Sequence, residues 1–237
     1  MIVPASLDRF RSTETGRRWL DKLPDVIAIC AERWDLEVGD PFADSWVSLV
    51  LPARTREGQL VVLKLQYPDR ESEGEADALR LWGGNGAIQL LGDWREHRAL
   101  LLERCVPGHH LSTAGADVGL AVLIGLMPRL WVSPDRTMGT LRDEVERWTV
   151  NLPRQYQVAG EPFEASLVDE VIAVLADLAS SQGEQVLLHQ DLHGDNVLRA
   201  QREPWLVIDP KPLVGEREFG LSPIIRSAEL GHSKEHV

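Results

Sequence analysis

The chain is poor in the residues that define several protein classes, and each shortage narrows what it can be. Only 2 of its 237 residues are cysteine. Cys30 and Cys105 are too few for a disulfide framework and too isolated for a zinc site, so both read as free thiols of a reducing compartment. Basic residues are outnumbered: 25 Lys and Arg stand against 37 Asp and Glu, a formal charge of -12. That balance disfavours a binder of phosphate backbones, so nucleic acid is not an expected ligand, and it is compatible with a cationic small-molecule partner. No apolar run reaches membrane-spanning length, and the start Met1-Ile-Val-Pro-Ala-Ser has no apolar stretch behind a basic flank, so no membrane role and a cytoplasmic setting are expected. Internal repeats, low-complexity tracts and long Ser/Gly/Pro linkers are missing as well. What remains, 43% hydrophobic and 26% charged, is ample for a packed core of one or two domains.

Apolar periodicity organises the rest. Leu7, Phe10, Trp19, Leu20, Leu23, Val26, Ile27, Ile29, Cys30 and Trp34 recur at a spacing closer to helical than alternating, predicting one or two amphipathic helices over 7–34, with Pro24 breaking the run or starting a turn. Two β-like runs, 45–51 and 60–67, flank the polar stretch 52–58 as in a hairpin. A helix over 71–82 stops at Gly83-Gly84, and a second hairpin joins 88–94 to 98–104 across Arg95-Glu-His97. Beyond Pro107-Gly108, segments 116–132, 139–152 and 163–180 read as helices; the last carries Phe163, Leu167, Val168, Val171, Val174, Leu175 and Leu178 in one stripe. Short strands at 186–188, 197–198 and 205–208 surround loops. Strands with one helix, then helices with short strands, predict an α+β chain of two lobes: a small antiparallel-sheet lobe over 1–104 and a mainly helical lobe over 105–237.

The most informative segment is His189-Gln190-Asp191-Leu192-His193-Gly194-Asp195-Asn196, which meets every fixed position of the loop template His-x-Asp-Leu-x-x-x-Asn. At average residue usage such a match arises by chance in about one chain of this length per thousand. Thirteen residues on, Asp209 ends the apolar run Trp205-Leu-Val-Ile208. Phosphoryl transfer needs a carboxylate for the proton of the acceptor hydroxyl, a role that falls to Asp191, and oxygen ligands for Mg2+, which Asn196 and Asp209 can supply. Lys64, inside the apolar run Val61-Val-Leu-Lys-Leu, is the candidate cation for the phosphates. Its expected partner is Glu75, preferred over Glu71 and Glu73 because it sits beside the apolar helix face. Leu100-Leu-Leu-Glu103-Arg104-Cys105 closes the smaller lobe, where the Glu103 carbonyl and the Cys105 amide are candidates to hold adenine. Ser45, on the first hairpin, is a candidate phosphate contact, although Phe42-Ala-Asp-Ser-Trp-Val-Ser lacks the glycines of a phosphate-covering loop.

Taken together, Lys64, Glu75, the 103–105 connector, the His189–Asn196 loop and Ile208-Asp-Pro210 resemble the aminoglycoside phosphotransferase family, small-molecule kinases of protein-kinase-like fold. Glu-Ala-Asp-Ala-Leu-Arg, Leu-Leu-Leu-Glu-Arg-Cys and Val-Ile-Asp-Pro-Lys-Pro-Leu-Val-Gly are similar to its branch containing streptomycin 6-kinase and the aminoglycoside/hydroxyurea resistance kinases. The resemblance spans about 40–215 and implies ATP- and Mg2+-dependent phosphorylation of a hydroxyl on an aminocyclitol antibiotic or similar molecule. Two departures accompany it: Gly220 stands where the family commonly has aspartate, and the stretch 226–237 is low in apolar residues and reads as disordered or divergent, where family members continue into helices of the substrate pocket. Two rival readings are a degenerate kinase-like domain that binds nucleotide without turnover, and a metal-dependent hydrolase using His189, Asp191, His193, Asp195 and Asp209.

Overall fold

The computed structural model of the chain describes residues 3–43, 45–134 and 138–227. The smaller lobe is built on a five-stranded antiparallel sheet, β1 (Leu36–Val38), β2 (Ser48–Thr55), β3 (Leu60–Gln66), β4 (Leu90–Trp94) and β5 (Ala99–Glu103), in the order β1-β2-β3-β5-β4. Alternation decides what each face meets. Leu49 and Leu51 of β2 and Leu63 and Leu65 of β3 bury against Leu20, Leu23 and Cys30 of helix α1 (Glu14–Trp34). Val50, Lys64 and Leu100, aligned across three strands, share the opposite face. That face is covered by α2 (Glu75–Trp82), whose Ala76, Leu79 and Trp82 join Leu100 and Leu102 in a second core.

Several elements differ from the sequence expectation, each for a local reason. Pro24 lies inside α1 without ending it, its ring at an exposed position clear of the core that Leu20 and Leu23 enter. The hairpin strand begins at Ser48 and runs through Pro52 to Thr55, three residues after the expected start, because Ser45 turns back to donate from its hydroxyl to the Phe42 carbonyl at 3.0 Å. Residues 71–74 form a turn ahead of α2, and Gly83 takes a left-handed φ of 56° that terminates the helix.

The larger lobe holds α3 (Ala116–Leu130), α4 (Leu141–Val158), α5 (Ala165–Ser180), the short α6 (Ser222–Ile225) and two small antiparallel pairs: β6 (Gln185–Leu188) with β9 (Leu213–Glu216), and β7 (Val197–Arg199) with β8 (Trp205–Val207). The α5 stripe is the main surprise. Val168 is buried and Leu175 and Ala179 pack with Leu141 and Val145 of α4, while Phe163, Leu167, Val171, Val174 and Leu178 face solvent among the described residues. The lobes are tied by a shared core: Trp82, Ala87 and Ile88 pack with Leu126, Met127, Leu206 and Val207. The Ile88 N–H donates to the Val207 carbonyl at 3.0 Å and the Val207 N–H to the Gly86 carbonyl at 2.9 Å. Of the stretch expected to be divergent, 228–237 lies outside the described residues. No described helix is long and apolar enough to cross a membrane.

Candidate functional site

Lys64 is 4% exposed, which in an apolar setting would be costly without compensation. The fold supplies it. Because α2 covers the sheet face that carries Lys64, its first residue, Glu75, arrives directly above the ammonium: Lys64 Nζ donates to Glu75 Oε1 at 2.7 Å and Oε2 at 2.6 Å. Gln66, two residues along the same face of β3, donates to Glu75 Oε2 at 2.8 Å. From the larger lobe Asp209 also pairs with Lys64, so one ammonium joins two carboxylates across the interlobe cleft. Burial works against the charge on Lys64, yet Asp209 and Glu75 outweigh it and hold its pKa above the ordinary lysine value. Burial pushes the Glu75 carboxyl up, against the pull of Lys64. Asp209, whose side chain is half-exposed to the cleft, stays below the usual carboxylate range through Lys64, His189 and Lys211 despite its own desolvation.

The loop that carries Asp191 is pinned from beneath by His189. This imidazole is buried, stacked on the Trp82 indole with centroids 6.0 Å apart and planes 11° off parallel. Its Nε2 lies 2.9 Å from the Ile208 carbonyl, and its Nδ1 accepts the Asp191 N–H at 3.2 Å. One partner is an obligate acceptor and the other an obligate donor, so the neutral ring with hydrogen on Nε2 is the form that satisfies both. Burial pushes its pKa down to about 4. The Asn196 amide donates through Nδ2 to the Asp191 carbonyl at 2.8 Å, which turns its oxygen away from the loop backbone. The Ile208 N–H donates to the Asn196 carbonyl at 2.9 Å, fixing the strand end next to the loop. Gln190 and Asp209 both adopt left-handed backbone, φ 63° and 57°, a conformation that these bonds on either side must maintain.

A cleft of about 550 Å3 lies between Val50 of the smaller lobe and Ile208 of the larger. Of the residues singled out from sequence, Ser45, Lys64, Glu75, Asp191, Asn196 and Asp209 all lie along it. Ser45 is buried, and its hydroxyl already donates to Phe42. Glu103 and Cys105 are not part of its lining. The Glu103 carboxylate instead receives a forked Arg202 guanidinium, Nε to Oε1 and Nη2 to Oε2, both at 2.9 Å. The Cys105 thiol is pushed up to about 12, chiefly by burial, which leaves it an inert core group. Among the described residues no group of three or more His, Cys, Asp or Glu could hold a metal ion, so the five residues of the hydrolase reading do not form a ligand set. The pair Asn196 and Asp209 is different in kind: an amide oxygen oriented by its own N–H bond, and a carboxylate with one oxygen on Lys64, form a hard, all-oxygen donor set open to the cleft, which suits magnesium.

Trp46 and Lys211 are among the lining residues that were not singled out from sequence. Trp46 is 64% exposed on the rim, and Lys211 places its ammonium 3.2 Å from Asp191 Oδ2 and 3.3 Å from Glu71 Oε2. Burial disfavours the Lys211 charge, but Asp191 and then Glu71 hold its pKa above the ordinary value. In the sequence Lys211 stood two residues after Asp209, within the resembling segment Val-Ile-Asp-Pro-Lys-Pro-Leu-Val-Gly, and was given no role of its own.

Known proteins similar to this chain are kinases and phosphotransferases. A family model described as aminoglycoside/hydroxyurea antibiotic resistance kinase matches residues 33–231. Streptomycin 6-kinase of Streptomyces glaucescens is 36% identical over 216 residues, covering 90% of this chain and 70% of the relative. Hydroxyurea phosphotransferase of Kitasatospora aureofaciens is 38% identical over 225 residues, covering 91% and 66%. Among solved structures, an aminoglycoside-3'-phosphotransferase of type VIII aligns with a TM-score of 0.58 at 20% identity over 90% of this chain and 85% of the other. Choline kinase LicA of Streptococcus pneumoniae aligns at 0.61 and 14% identity over 90% and 77%. At such identities the structures establish the two-lobed kinase-like fold.

Proposed function

The chain belongs to the aminoglycoside/hydroxyurea antibiotic resistance kinases and is a small-molecule kinase; on that premise we propose that it moves the γ-phosphate of ATP to a hydroxyl of a streptomycin-like aminocyclitol. The observation that carries the reading is the buried Lys64 ammonium, held between Glu75 and Asp209 on the same cleft as Asp191 and Asn196. The lobes divide at 104/105, and the nucleotide lies between them, with Lys64 on its phosphates and the rim near Ser45 above them. Glu103 and Cys105 contribute through backbone, the carbonyl and the amide of the connector. Asn196 and Asp209 would hold Mg2+, which when bound neutralises charge on the β- and γ-phosphates.

Asp191 takes up or orients the proton of the acceptor hydroxyl as that oxygen bonds to the γ-phosphorus. The bond from phosphorus to the bridging oxygen breaks in line, and ADP carries away the released electron pair. No covalent phosphoenzyme is needed. Positioning and electrostatics supply the rate enhancement, which is why so much of the chain serves to orient a few groups. A cationic acceptor suits a chain of net charge -12, and a cytoplasmic setting suits both its free thiols and ATP. Hydroxyurea is a second acceptor to weigh, because the relative with that activity is 38% identical.

The test is coupled ADP release with streptomycin, other aminocyclitols and hydroxyurea, for the native chain and Asp191→Ala. Acceptor-dependent release that disappears in Asp191→Ala, with ATP affinity retained, is the expected outcome. ATP binding without release for any acceptor would favour a domain that binds nucleotide without turnover. Stoichiometric zinc in the purified protein would favour a hydrolase.

A further inference from the structure

The backbone of Asp191 is held twice, its N–H by His189 Nδ1 and its carbonyl by Asn196 Nδ2, but neither bond sets the direction of the carboxylate. Among the described residues two cationic or potentially cationic groups approach that carboxylate. His193 Nε2 lies 3.7 Å from Oδ1, outside hydrogen-bonding range, and Lys211 Nζ lies 3.2 Å from Oδ2. Lys211 is itself well supported. Its N–H donates to the His189 carbonyl at 3.0 Å, and it stands between Pro210 and Pro212, whose rings restrict the backbone on both sides. A closed circuit results: His189 holds the backbone of Asp191 and of Lys211, and the Lys211 ammonium returns to the Asp191 side chain.

We propose that Lys211 is a positioning residue for phosphoryl transfer, its ammonium fixing the rotamer of the Asp191 carboxylate toward the acceptor hydroxyl. This rests on the kinase function proposed above and adds to it a residue outside the catalytic-loop template. Glu71, from the turn before α2, occupies the other side of the same ammonium at 3.3 Å. A rival explanation would therefore make Lys211 merely a tie between lobes, and the two accounts differ in what they demand of Glu71. If Lys211 acts on Asp191, losing Glu71 leaves the working contact intact. If it acts as a tie, Glu71 and Lys211 matter equally.

The experiment compares the native chain with Lys211→Met, Lys211→Arg and Glu71→Gln in acceptor-dependent ADP release, with crystal structures of the native and Lys211→Met proteins. Lys211→Met should lower kcat about 10- to 100-fold, the penalty expected when a reacting group loses its orientation, while KM for ATP stays within about twofold. Lys211→Arg should recover a substantial part of kcat, and Glu71→Gln should stay within about threefold of the native rate. An equal loss in Glu71→Gln and Lys211→Met, a matching rise in KM for ATP, or an unchanged kcat would overturn the proposal. The crystallographic arm decides without turnover: two or more Asp191 rotamers in Lys211→Met support the role, and the single native rotamer in both proteins rejects it. Native protein that releases no ADP with any acceptor refutes the proposed function, and the rotamer comparison still rules on Lys211.

Discussion

Replacing Glu75 with alanine would separate the energetic and catalytic roles of the buried ion pair. Glu75 is 1% exposed and Lys64 4%, and the carboxylate accepts three hydrogen bonds: two from Lys64 at 2.7 and 2.6 Å and one from Gln66 at 2.8 Å. Removing one member of a buried pair costs about 3–5 kcal/mol because the survivor is left charged in an apolar place. Here Asp209 remains beside the ammonium, and Gln66 keeps the Ser72 carbonyl at 3.0 Å, so the loss should fall to about 2–3 kcal/mol. Urea unfolding is the assay. With a slope near 2–3 kcal/mol/M, the midpoint should fall by about 1 M. Without Glu75 the ammonium swings toward Asp209, so kcat/KM for ATP should fall about 10- to 100-fold. The double variant Lys64→Met/Glu75→Ala should be clearly less destabilised than the sum of its single changes, since each removes the group stranded by the other. A cost below about 0.5 kcal/mol with additive single changes would show that the pair does not bear on stability and would undo the argument.

Other parts of the site make equally specific demands. His189 stays neutral when folded down to a pH of about 4, whereas an unfolded histidine protonates near 6.5, so between these values the unfolded chain binds more protons. Stability should be unaffected by this group above pH 6.5 and should decline by about 3 kcal/mol on acidification to pH 4; His189→Gln should remove that part of the slope in urea melts measured across the window. A Cβ at Gly74 would stand 2.7 Å from Pro212 Cγ, so Gly74→Ala should cost about 1–3 kcal/mol and lower kcat by displacing the Asp209–Pro212 segment, and a native melting temperature would contradict the packing. Arg202 joins the Glu103 carboxylate to the Gly84 and Ala87 carbonyls at 2.7 and 2.8 Å; Arg202→Ala should lower the melting temperature by several degrees with little change in kcat. Thr140 and Asp143 form a reciprocal cap at the start of α4, and Thr140→Ala should cost about 1 kcal/mol in thermal unfolding.

What could be seen in the sequence depended on whether a residue's role was set by its neighbours in the chain. Lys64 announced itself because a charge in an apolar strand must be compensated, and Glu75 could be chosen over Glu71 and Glu73 because helical spacing puts it beside the buried face; the structure brings those two side chains together. The loop from His189 to Asn196 was legible because its fixed positions stand close together in sequence and bond to one another, His189 to Asp191 and Asn196 to Asp191, even though further bonds leave the loop for Ile208, Lys211, His110 and Ser112. Lys211 was not. A lysine between two prolines reads as surface, and its significance arises only when β9 pairs with β6 and carries the 209–212 segment back to the His189 carbonyl. Glu103 was read for its backbone alone, since nothing local indicates that an arginine 99 positions later will take its carboxylate. The α5 stripe marks the complementary limit. Periodicity correctly gave the helix and its apolar side, but a stripe states only that a face is apolar. Whether that face is covered depends on what else packs there: Leu175 and Ala179 join Leu141 and Val145 of α4 and Val168 is buried, while the rest of the stripe stays exposed among the described residues. Local rules therefore resolved the groups that need partners close in sequence, and pairing between distant segments decided which of the remaining polar residues joined the site.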